Sequence, residues 1–298
     1  LEIIIQTTLP VFLLVFCGFA LGNFQNIETR SISNLTIYLL TPALIFTKFL
    51  QNPIEINIII QIAFFIVGFY LLNIFITWFT TRLLKMDKIL AHGFTLSIVL
   101  FNAGNMGIPF ISFAFGDEGL SMAIILLLIN VCITATIGVF IAAGANSKPV
   151  QALKQIFLLP NIYAITIALI IKYFTIPVPN FIFEPLNMLG DASIPVSIVL
   201  LGIQISQTKF FSRSYEIFLA SGLRLVLGPI IAFFLTRIIN CTELMQKVLI
   251  IQTSMPTAIY ALLFATKFDA KPDFVSSVIL TATIASSATL SILLYLLN

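Results

Sequence analysis

Apolar positions fall along this chain in long runs separated by short polar or basic connections. A membrane-spanning helix needs roughly 20 predominantly apolar residues. Ten runs approach or exceed that length, at about residues 3–22, 32–50, 57–81, 89–115, 120–146, 151–174, 181–206, 214–239, 245–267 and 273–297. Gly190 and Asp191 dilute the seventh. The connections leave no room for a soluble domain, and no signal peptide separates from the first run. The pattern therefore predicts an all-α integral membrane protein of ten transmembrane helices.

Two runs are interrupted. The fourth contains Phe101-Asn-Ala-Gly-Asn-Met-Gly-Ile-Pro109, and the ninth contains Gln252-Thr-Ser-Met-Pro-Thr257. A helix break frees backbone groups at membrane depth, which is tolerated only where they are buried in protein or line a watered cavity. Matching breaks in two halves of a chain are the sequence mark of a secondary transporter's binding site.

Composition narrows the class further. Hydrophobic residues make up 59% of the 298 and charged residues 9%, whereas a soluble domain carries about a quarter charged residues. The net charge of +3 is dispersed through the connections and gives no nucleic-acid patch. Its distribution bears on topology instead. One set of connections carries Arg30, Arg82, Lys85, Lys88, Lys148, Lys154, Lys209, Arg213, Lys267 and Lys271, against Lys48, Lys172, Arg237 and Lys247 in the alternate set. The positive-inside rule then puts the first set in the cytoplasm and both termini outside, in what is expected to be a bacterial inner membrane. Cys17, Cys132 and Cys241 have no metal or disulfide spacing and read as packing residues. No metal site or cofactor is indicated.

An internal repeat emerges when the chain is folded near Lys148, giving residues 1–147 and 148–298 with five helices each. Asn34 precedes Pro42 by eight, as Asn187 precedes Pro195. Leu9-Pro10 corresponds to Leu159-Pro160, and Pro109 to Pro256. An odd number of spans per half makes the repeats inverted. Pro42 and Pro195 are expected to break their helices.

These residues also resemble the auxin efflux carriers and their prokaryotic relatives. Asn102-Ala-Gly-Asn-Met-Gly-Ile-Pro109 is similar to that family's fourth-span segment, and Gln252-Thr-Ser-Met-Pro256 with Phe264-Ala265-x-Lys267 to its ninth. Pro272-Asp273 with Ser276, and the centres around Pro42 and Pro195–Gly202, continue the likeness over the whole chain. The resemblance implies a five-plus-five inverted repeat with helices four and nine unwound where they cross, the fold shared with sodium/proton antiporters and bile-acid symporters. It implies small organic-anion substrates, and a homodimer by analogy. Phe101 stands where plant members often have proline, and only a short linker, 146–150, stands where long plant members carry an insert. Both features point to a prokaryotic-type member.

An anion at mid-membrane costs about 2.5–3.5 kcal/mol or more, and one helix N-terminus returns about 0.3–1, up to about 2. Two such termini with amide donors could offset it. Asn102 and Asn105 are therefore the leading candidates for substrate contact. Gly104 and Gly107 would permit the backbone and the close approach of a crossing, and Pro109 and Pro256 suit first turns of half-helices. Thr253, Ser254 and Thr257 either contact substrate or re-satisfy backbone freed by proline. Asp191 and Arg224 are ionisable residues inside spans, hence candidates for coupling. Asp191 would face the crossing and titrate, or cap its helix, or pair with Arg224. Unwound carbonyls can also hold sodium, so proton and sodium coupling both stand at this point, as does a sodium-coupled symporter of the bile-acid type. A receptor or channel on the same fold is the competing class. An enzyme would need a nucleophile–base or metal set, and the sequence offers none.

Overall fold

The computed structural model describes residues 2–51, 55–143, 160–208 and 215–297. The proposed repeat junction at 147/148, the linker 146–150, and Lys148, Lys154, Leu159, Lys209 and Arg213 lie outside these. Regular structure among the described residues is helical, apart from one isolated antiparallel bridge.

Helix α1 is Glu2–Phe24 and α2 is Thr29–Gln51. Helix α3 is Ile56–Leu83 and α4 is Lys88–Val99. Residues 103–115 form α5 and 117–143 form α6, separated at Gly116, whose φ of 61° is non-helical. Then follow α7 (Pro160–Tyr173), α8 (Asn180–Gln207), α9 (Tyr215–Ile238), α10 (Glu243–Thr253), α11 (Ile259–Phe268) and α12 (Pro272–Leu297). Among the described residues, six helical segments are long and apolar enough to cross a membrane, one of them the α5–α6 pair taken together, and four shorter apolar helices accompany them. Large apolar side chains such as Phe16, Phe64 and Phe75 face outward, as lipid-facing surfaces do.

Local chemistry sets the boundaries. Asp87 accepts from the Ile89 and Leu90 amides and so caps α4, and Thr242 does the same for α10 through Met245. Helices α3, α7, α9 and α11 are each followed within two residues by a residue with φ near +50°, namely Lys85, Thr175, Asn240 and Asp269. That left-handed turn closes the last helical carbonyls and allows the tight reversals into the next helix.

Neither Pro42 nor Pro195 breaks its helix. Helix α2 absorbs Pro42 with a widened turn over Thr36–Leu40, where the Thr41 amide donates five residues back to Thr36. Helix α8 runs on through both Pro185 and Pro195. Each proline removes one backbone bond, which a long, well-packed membrane helix tolerates.

The helices pack as two sets. Helix α1 lies along α8, and α2 packs on α7 and α8. The other set groups α3, α4, α9, α10 and α12 with α5, α6 and α11. The first set is held by close backbone approach, because lipid offers no hydrophobic drive for helix pairing. A Cβ on Gly202 would lie 2.1 Å from the Val15 carbonyl oxygen and 2.7 Å from the Phe19 nitrogen. Gly202→Val should force α1 off α8 and destabilise the protein by about 1–3 kcal/mol. The thermal midpoint of the purified variant in detergent checks this, and an unchanged midpoint would mean α1 and α8 can separate freely.

Candidate functional site

The two interruptions meet. Leu100–Asn102 and Pro256–Ala258 leave the helical conformation and pair antiparallel, with the Asn102 amide donating to the Pro256 carbonyl at 2.9 Å and the Ala258 amide to Leu100 at 2.9 Å. Backbone that would be orphaned at this depth is thereby paired. Pro256 thus sits in the non-helical link rather than in the first turn of a half-helix, where its missing N–H leaves that pairing intact. Pro109 does sit at the start of the regular part of α5.

Four helix ends converge around this crossing. Helices α4 and α10 end at it, and their C-terminal carbonyls share one cation. Arg224 of α9 donates through Nη1 to the Ile98 carbonyl at 2.7 Å and through Nη2 to the Thr253 carbonyl. The guanidinium is fully buried, 5.7 Å from the Phe69 ring centre and 5.6 Å from that of Phe101. The planar fork of arginine suits two divergent acceptors as a lysine would not. Gly228 makes room for it, since a Cβ there would lie 2.5 Å from Nη2.

The other two ends begin helices. Neither Asn102 at the head of α5 nor Ala258 at the head of α11 supplies a side-chain cap. Both heads border a cavity of about 360 Å³ lying between the two helix sets. Asn102 and Asn105 line it, as does Asn130 of α6, whose side-chain oxygen accepts from the Tyr70 hydroxyl at 2.7 Å. That bond holds the Asn130 oxygen toward Tyr70 and leaves its amide N–H groups as donors. Among the described residues, the one charged residue in the lining is Lys267, and no carboxylate borders the cavity. The three widened helical turns among the described residues, Thr36–Leu40, Ala103–Gly107 and Thr134–Gly138, all contribute to its wall. Such turns concentrate at functional sites because they redirect backbone groups.

The remaining expected residues divide. Thr253 and Ser254 return their hydroxyls to Leu249 and Ile250 in their own helix, and Thr257 donates to the Ser97 carbonyl at 2.6 Å. All three repair backbone, and none of the three lines the cavity. Gly107 has ordinary helical angles and serves close approach, with Gln252 Cγ 3.1 Å from a would-be Cβ. Gly104 lines the cavity, but a Cβ there meets only Leu127 at 3.6 Å, so the crossing does not require a glycine at that position. Asp191 neither faces the crossing, nor caps its helix, nor pairs with Arg224. It lies eleven residues into α8, half-exposed, with its carboxylate 3.8 Å from Lys48 and accepting from Asn187.

Sequence reasoning missed Gln252 as a structural tie. Its amide donates to Ala103 and Ala123, joining the end of α10 to α5 and α6. A lone amide in an apolar helix end was the available signal. It also treated Phe101 as a departure, whereas Phe101 forms one face of the Arg224 site.

Removing the Arg224 fork leaves carbonyls of two helices unpaired in an apolar site. Arg224→Leu should cost about 1–3 kcal/mol for each carbonyl left without its donor, read as a large fall in thermal midpoint. Arg224→Lys should fall between it and the wild type, because an ammonium reaches both carbonyls poorly. A variant lysine as stable as the native arginine would show that charge alone suffices.

Comparison with known proteins agrees with this geometry. The profile of a family described as membrane transport proteins matches residues 3–152 and 146–294. An uncharacterized transporter of Methanocaldococcus jannaschii is 26% identical over 295 residues, covering 93% of this chain and 94% of that protein. An uncharacterized transporter of Methanothermobacter thermautotrophicus is likewise 26% identical, over 96% of this chain and 95% of its own length. With a crossing of interrupted helices over a cavity and a family match along nearly the whole sequence, the chain belongs to the membrane transport protein family and is an integral membrane protein.

Proposed function

We propose that this protein is a secondary transporter of small organic anions, of the auxin-efflux-carrier type, working by alternating access. One observation carries the reading. At the crossing the chain supplies its own cation to the two negative helix ends, through Arg224, and leaves the two positive ends without a side-chain cap against a cavity that no carboxylate borders among the described residues. Each such end favours an anion by about 0.3–1 kcal/mol, more when partly buried. The amides of Asn102, Asn105 and Asn130 add donors without adding a permanent charge. The cavity volume suits a small carboxylate, and its largely apolar wall suits an organic one.

Ten spans arranged as inverted halves, 1–147 and 148–298, fit the same reading. Supporting it are the two family matches, which meet near residue 150, and the opposed direction of the paired segments at the crossing. The dominance of basic residues on one set of connections supports a cytoplasmic position for the end bearing Lys267 and Lys271. The cavity would then be open toward the cytoplasm, with both termini outside.

A panel of carboxylates tested for thermal stabilisation of the purified protein checks the proposal, since a ligand of the native state raises its apparent stability. A carboxylate should stabilise the wild type, and Asn102→Ala should weaken that carboxylate about ten-fold or more, the worth of a hydrogen bond to a charged group. Stabilisation by neutral or cationic compounds alone would contradict the anion reading.

A further inference from the structure

Away from the cavity, at the opposite end of the molecule, the two helix sets are joined by charge. Lys48 lies in the last turn of α2 and its side chain is 11% exposed. Its ammonium is 3.0 Å from Asp117, which follows the Gly116 joint between α5 and α6 and so belongs to the other set. The same ammonium is 3.8 Å from Asp191 on α8, which belongs to its own set. Among the described residues, the ion pairs that link elements distant in sequence all converge on Lys48. Between Thr41 at the cavity and Lys48, the buried Leu44 and Ile45 fill the two helical turns.

The burial is asymmetric. Both carboxylates are more than half exposed, at 64% and 56%, while the ammonium is nearly enclosed. Separating the sets here returns a carboxylate to water at little cost, but would leave Lys48 enclosed without a counter-charge, which is costly. Asp191 removes that penalty, because it stays with Lys48 when Asp117 leaves. The joint itself is built to turn. Gly116 takes a φ of 61°, and nothing lies within 4 Å of a would-be Cβ, so backbone freedom rather than space requires glycine there.

We infer that Lys48, Asp117 and Asp191 form a partner-exchange latch that holds the cavity shut on the side away from Lys267, with Lys48 passing from Asp117 to Asp191 as that side opens. The inference rests on the alternating-access part of the proposed function and is independent of the anion. It assigns the two carboxylates opposite effects. Asp117 stabilises the shut state, and Asp191 stabilises the open one.

The test uses a reporter cysteine, Ala135→Cys in the cavity wall, with Cys17, Cys132 and Cys241 replaced by serine. The full-length protein is oriented in vesicles and labelled with a membrane-impermeant maleimide from each side. Asp117→Asn should raise the ratio of Lys48-side to Lys267-side labelling about five-fold, the worth of one partly exposed ion pair. Asp191→Asn should lower that ratio below the wild-type value. The exchange Lys48→Asp with Asp117→Lys, made in an Asp191→Asn background, should shut the Lys48 side again relative to Lys48→Asp alone. Carboxylates that move together, or leave the ratio unchanged, overturn the latch. So does a charge exchange that fails to restore closure while Lys267-side labelling reports an intact cavity. Carboxylate binding by the wild type, measured separately, decides the anion reading whichever way the latch falls.

Discussion

Two interrupted helices that meet inside a membrane protein leave four helix ends, each with unpaired backbone groups and a partial charge. Almost everything distinctive in this molecule follows from how those ends are met. The two negative ends, at α4 and α10, converge on Arg224, whose fork bonds a carbonyl from each. The rings of Phe69 and Phe101 and the missing side chain at Gly228 shape the space for that fork. Between the ends the chain leaves the helical conformation and pairs with itself, so the links carry little unpaired backbone. A transmembrane arginine without a carboxylate partner thus has a structural explanation.

The positive ends are treated differently. Hydroxyls that could have capped them are spent elsewhere, on Leu249, Ile250 and Ser97. What borders α5 and α11 is a cavity that, among the described residues, has amide side chains, a single lysine and no acid. Placing that cavity between two helix sets matters for transport, because relative movement of the sets can expose one crossing to either side. Small residues at the α1–α8 contact make one set a firm unit, while a single glycine joint and one buried lysine mark where the sets meet at the far end.

Much of this is legible in the sequence because membrane burial writes it in long apolar runs. The predicted run 57–81 is seen as Ile56–Leu83, and 181–206 as Asn180–Gln207. The breaks at Asn102 and Pro256 stand out because glycine, asparagine and proline are conspicuous against leucine and isoleucine. Proline taken alone misleads, since Pro42 and Pro195 reside within helices whose neighbours absorb the lost bond. Side-chain partners were least legible. Whether Asp191 meets Arg224 or Lys48 depends on which helices are neighbours and on rotation about α8, which a near-uniform apolar run does not encode. The roles of Gln252 and Asn130 are hidden for the same reason.

If the molecule works as proposed, an anion occupies the pole formed by the heads of α5 and α11. The most direct measurement is the position of a heavy-atom anion, such as bromoacetate, located by anomalous scattering in crystals of the protein. A bromine peak is expected in the cavity, beside a carboxylate within hydrogen-bonding distance of the backbone amides of 104–105 and 259–260 and of the Asn102 side chain. Bromoacetate bound only elsewhere in the protein, with that pole occupied by a cation, would contradict it.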